Sequence, residues 1–132
     1  MQGSAGADGQ WRTRAPTDVV QRYLEAARDH RALLLLNIQP RRSDFLTECR
    51  HFEDWLREPD VGVALDPEWA MQPGQVPGRA YGSTTGAELD EVATYLSART
   101  LSHRLPEKVM VFHQVAASVV RQESKLEGHD GV

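Results

Sequence analysis

Apolar residues recur at two different periods along this chain, and the alternation between them predicts its elements. Val20, Tyr23, Leu24 and Ala27 fall at i, i+3, i+4 and i+7, one stripe of a helix over residues 17–30. Pro16 suits its first turn, where a missing N–H costs nothing. Ala32 to Ile38 is instead apolar at nearly every position, which predicts a parallel strand covered on both faces. Gln39-Pro40 stops it, because proline cannot donate to a strand ladder. Ser43 or Asp44 is placed to cap a second helix, Phe45 to Arg57, whose buried stripe is Phe45, Leu46, Cys49, Phe52 and Leu56. A second strand, Val61 to Leu65, follows Glu58-Pro59-Asp60. After a long loop, Thr85 and Glu88 spell the capping box T-x-x-E and open a third helix, with Leu89, Val92, Ala93 and Leu96 as its stripe. Lys108 to Phe112 reads as a third strand and Ser118 to Leu126 as a last helix.

Strands alternating with helices imply parallel strands joined by right-handed crossovers. The expected fold is α/β, with three parallel strands alternating with about four helices, as either a partial (β/α) barrel or a small open sheet. Two unpaired edges would remain, so self-association through them is expected. Residues 1–15 are rich in Gly, Ala and Arg without periodicity and read as a disordered leader. Residues 16–132 read as a single α/β domain.

Composition narrows the function classes. At 132 residues and 40% hydrophobic the chain is one soluble globular domain's worth, too short for the ~250 residues of a full eight-stranded barrel. With 15 basic against 19 acidic residues and no basic stripe, nucleic acid is not an expected partner. No apolar run is long enough to span a membrane. The first residues carry neither a charged nor an apolar signal region, which as written would leave the chain in the cytoplasm. Cys49, the single cysteine, sits at an apolar-periodic helix position and reads as a buried hydrophobe.

The candidate chemistry gathers where the predicted strands end. Ligands of parallel sheets bind at the carboxyl ends of strands. Here those ends offer Asn37 and Gln39, then Asp66 and Glu68, then His113 and Gln114. Along the second strand Gly62, Ala64 and Asp66 share a face opposite Val61, Val63 and Leu65, so Asp66 points away from the bulky side. Residues 66–84 form a loop stiffened by Pro67, Pro73 and Pro77, expected to lie across this rim with Trp69 as a pocket wall. Asp66 and Glu68 are the candidate catalytic pair. One carboxyl would act as acid and the other as base, as in glycoside hydrolysis, which needs the two about 5–10 Å apart across a cleft. Asn37, Gln39, Trp69, His113 and Gln114 would bind substrate. No cofactor is expected. An alternative gives Asp66, Glu68 and His113 to a divalent metal. Others leave the rim as a non-catalytic ligand site, or reduce the carboxylates to caps on their own loop. Arg41 and Arg42 precede a helix N-terminus, where they would grip an anion or simply form a solvated loop.

The runs LNIQP–RSDFLTE, VGVALDPEWAM–PGQVPG and LPEKVMVFHQ resemble a family of bacterial secreted lipoproteins across residues 17–132. The family pattern has glycine where this chain has Arg41. The resemblance implies a (β/α) barrel of glycoside-hydrolase type, an extracytoplasmic location and a carbohydrate or cell-wall ligand. It also implies a strand-end site at Asp66, Glu68, Trp69, His113 and Gln114, and a chain that is a fragment of a larger barrel.

Overall fold

The computed structural model describes residues 6–132. Four α-helices alternate with a three-stranded sheet, and a two-stranded pair lies beside them. In chain order the elements are α1 (Thr17–Asp29), β1 (Leu34–Ile38), α2 (Phe45–His51), α3 (Glu53–Leu56) and β2 (Val61–Leu65). There follow β3 (Thr84–Thr85), α4 (Gly86–Ser102), β4 (Met110–Phe112) and β5 (Val120–Arg121). The main sheet runs β1-β2-β4, all parallel, with Ile38 opposite Leu65 and Leu65 opposite Phe112. It is an open sheet with β1 and β4 as its edges, and the described residues do not close a barrel. The barrel expectation is therefore corrected in favour of the open sheet.

Strand order fixes where the core lies. Parallel neighbours joined in sequence by right-handed crossovers place their helices on one side of the sheet. Leu36, Ile38, Val61, Val63 and Leu65 accordingly share one core with Val20 and Leu24 of α1, Phe45 and Cys49 of α2, and Leu89, Val92 and Leu96 of α4. Each such burial contributes about 1.5–3 kcal/mol. The alternate positions face the other way. There Leu35 and Val111 remain 36% and 43% exposed, with Gly62 and Ala64 between them in the register. The leucine run predicts cover on both faces, but only one is covered. A second layer needs a reversal of strand order or a closed barrel, and this sheet has neither.

Local signals set most boundaries. Asp44 caps α2, its carboxylate accepting from Thr47 N at 2.7 Å. The Thr85–Glu88 capping box forms in both directions at the start of α4. The second helix is not continuous to Arg57, because Phe52 leaves helical geometry at φ −97°, ψ 19° and separates α2 from α3. The predicted last helix is also absent. Val119 and Val120 are buried in succession, and Val120 pairs with Thr84, leaving only 3₁₀ turns at Ala117–Val119 and Glu123–Lys125. Of the segment read as a leader, residues 1–5 lie outside the described residues, whereas Arg12 and Arg14 reach the buried Glu48 at 2.8 and 2.9 Å. Only Arg14 is aligned to donate a hydrogen bond. Cys49 is fully buried and its thiol is pushed up to about 12 by desolvation, then by the charge of Glu48, so it is a packing residue rather than a nucleophile.

Candidate functional site

The carboxyl ends of β1, β2 and β4 meet at one rim. The ladder continues past the strands, with Asp66 N donating to Ile38 O at 3.1 Å and His113 N to Leu65 O at 2.9 Å. Gln39, Asp66 and His113 each follow an open-face residue by two positions, so strand parity carries them to the uncovered side. Glu68 arrives differently. Pro67–Trp69 is a 3₁₀ turn that tucks Glu68 under the returning loop, where its carbonyl accepts from Gly82 N at 2.7 Å. Gly82 is needed there, because a Cβ would collide with the Ala70 carbonyl.

Asp66, Glu68 and His113 each bring a ligand atom to within 4.8 Å of the other two. His113 Nδ1 lies 3.4 Å from Glu68 Oε1, and the Glu68 residue is only 9% exposed. Its second oxygen, Oε2, is buried with no hydrogen-bond partner among the described residues. Leaving such an acceptor unpaired costs about 1–3 kcal/mol, more for a charge. Gln39 Nε2 donates to Asp66 Oδ2 at 2.9 Å, and Arg41 Nη2 donates to Gln39 Oε1 at 3.1 Å. The Arg41 guanidinium in turn lies 3.9 Å over the Trp69 ring. Burial lowers the pKa of Arg41, which still stays charged at neutral pH. A chain of contacts thus runs from Trp69 through Arg41 and Gln39 to Asp66.

Arg41 adopts φ 59°, a left-handed backbone that favours glycine. This conformation turns its carbonyl to Met71 N at 2.7 Å and anchors the start of the long loop. Arg42 holds the middle of the loop, donating to Gln75 O at 3.0 Å rather than binding at the seven-residue α2. Beside the rim a cavity of about 460 Å³ is lined by Glu68, Trp69, Gly78, Arg79, Ala80 and Tyr81. A second cavity, of about 360 Å³, lies against β1 and α1 and takes in Asn37 and Gln39. Its carboxylate, Glu48, is paired with Arg12 and Arg14, although Arg12 Nε and Nη1 make no hydrogen bond among the described residues.

Of the candidate residues, Asp66, Glu68, His113 and Gln39 come together and Trp69 lines the adjoining cavity. Asn37 and Gln114 are exposed and take no part in these hydrogen bonds. Arg41 as a partner of Trp69, and Arg79 and Tyr81 as cavity residues, escaped the sequence reading. Their signal was faint: an arginine in a glycine-like turn, and an aromatic inside a Pro- and Gly-rich loop.

Fold and rim together define an α/β protein with an open parallel sheet and a polar site at the strand carboxyl ends. No family model and no solved structure matches the chain. The chain is similar to the UPF0215 protein PF2042 of Pyrococcus furiosus, 28% identical over 78 residues. That match covers 59% of this chain and 38% of the archaeal protein, so the chain spans well under half of its relative's length. This finding corrects the resemblance to bacterial secreted lipoproteins, on which the extracytoplasmic expectation rested. The barrel of glycoside-hydrolase type that the resemblance implied is corrected as well, because the sheet is open. The nearest ligand atoms of Asp66 and Glu68 lie within 4.8 Å of each other. No described helix is long and apolar enough to cross a membrane.

Proposed function

We propose that the rim binds a small polyhydroxylated ligand, such as a glycan unit, without transforming it. The observation that carries this reading is the position of Glu68, which belongs both to the carboxylate–histidine cluster and to the aromatic-walled cavity. Carboxylates only accept hydrogen bonds, so their partner must donate, as hydroxyls do. Trp69 and Tyr81 supply the apolar walls on which a ring face packs. Arg41 and Gln39 hold Trp69 and Asp66 in place before any ligand arrives. A glycan and cell-wall binding screen with wild type, Asp66→Asn and Trp69→Ala tests the reading. Trp69→Ala is expected to weaken retention by roughly 1–3 kcal/mol through lost apolar contact, with the melting temperature unchanged. No retained glycan in wild type, or unfolding of Trp69→Ala, overturns it.

The open face supports one further reading, self-association. Leu33, Leu35, Val109, Val111 and Val115 are all exposed, and among the described residues the sheet has two free edges. Sedimentation at rising concentration is expected to show a dimer; a monomer throughout argues against it.

A further inference from the structure

We infer that Asp66, Glu68 and His113 hold a divalent transition-metal ion of the zinc class. This rests on the rim being the binding site and gives that site its chemistry. Zinc takes oxygen and nitrogen ligands at about 2.0–2.2 Å, so two ligands of a tetrahedral site stand about 3.4 Å apart. His113 Nδ1 and Glu68 Oε1 are 3.4 Å apart. The three ligand atoms lie within 4.8 Å of one another, and the exposed His113 side chain is free to close the remaining gap.

The second observation is the orphaned oxygen. Glu68 is about nine-tenths buried, and its Oε2 has no hydrogen-bond partner among the described residues. A carboxylate kept only to receive His113 would not leave its other oxygen dry and unpaired. Neither arginine of the rim pairs with it: Arg41 is committed to Gln39 and the Trp69 ring, and Arg79, which lines the same cavity, forms no ion pair with Glu68 among the described residues. A divalent ion would satisfy the orphaned charge directly. Outer support is also present. Gln39 engages Asp66 Oδ2 and leaves Oδ1 to ligate, which is how ligating carboxylates are usually oriented. One imidazole with two carboxylates suits zinc or a neighbouring transition ion better than calcium, which takes all-oxygen sites. Three protein ligands leave a coordination position for water or a ligand hydroxyl.

Equilibrium dialysis of the full, chelator-stripped chain against Zn²⁺ tests the inference, with Co²⁺ absorption reporting the ligand set. Wild type is expected to hold one Zn²⁺ per chain. His113→Ala and Glu68→Gln each weaken binding at least tenfold and lose the visible Co²⁺ bands, and Gln39→Ala weakens it about tenfold. His113 is exposed, so its variant keeps the fold. No stoichiometric Zn²⁺ in wild type, or equal affinity in His113→Ala and Glu68→Gln, overturns the site. Repeating the glycan screen in EDTA separates the two readings. Zinc bound without any retained glycan leaves the metal site standing and removes the ligand class. Glycan retained equally in EDTA, with no zinc bound, removes the metal site and leaves the rim.

Discussion

At the amino end of the sheet, Lys108 is 3% exposed, yet its ammonium donates to Glu58 O at 2.8 Å and Val61 O at 2.9 Å. Beside it Arg28 clamps Asp60 and Glu58 at 2.7 and 2.6 Å. At the carboxyl end, Glu68 is nearly as buried but leaves Oε2 unpaired, and Arg41 sits on a left-handed backbone. Both ends bury charge. One satisfies it inside the chain and the other does not. Polar groups that complete one another serve stability, whereas groups kept open at a strand-end rim are poised for something that is not protein.

That contrast can be broken by substitution. The largest effect is expected at the amino end. Lys108→Ala removes two charge-assisted hydrogen bonds to backbone carbonyls and should cost about 2–3 kcal/mol in urea unfolding. A cost below about 0.5 kcal/mol would show that Lys108 pins nothing. Arg41→Gly should move stability much less. It relieves about 1 kcal/mol of left-handed strain while losing about 0.5–1 kcal/mol of cation–π contact. Its expected signature is an almost unchanged melt with weaker ligand retention, and a loss above about 2 kcal/mol would recast the guanidinium as a structural pin.

The smallest effect is a pH dependence. Hydrogen bonds from Arg28 lower the Asp60 carboxyl below its ordinary value. A depressed folded pKa gives stability that is complete above the ordinary carboxylate value of about 4 and is lost as pH falls through the lowered one. Acid unfolding of Asp60→Asn should lack this component. Identical acid curves for variant and wild type would remove the clamp from the account.

How much of this was legible in the sequence follows from the range of the forces involved. The Asp44 cap, the Thr85–Glu88 box and the stop at Pro40 are encoded within four residues, and each stands where the pattern placed it. The convergence of Gln39, Asp66 and His113 was legible through strand parity and the carboxyl-end rule. The break at Phe52 was not, and neither was the strand at Val120, which pairing with the distant Thr84 decides. Lys108 reads as an ordinary polar residue at a strand start, and only the meeting of two strands turns it inward. The stack of Arg41 on Trp69 joins residues from two separate turns, and no local pattern announces it.

The central claim is that the carboxyl rim keeps a buried charge open for a ligand. Urea unfolding of Glu68→Gln against wild type, both in EDTA, tests it most directly. Replacing a buried carboxylate that has one oxygen unpaired by a neutral amide should leave stability within about 0.5 kcal/mol or raise it by about 1 kcal/mol. A loss of about 2 kcal/mol or more, matching that expected for Lys108→Ala, would mean that Glu68 is anchored within the protein after all, and the distinction between the two ends of the sheet would fail.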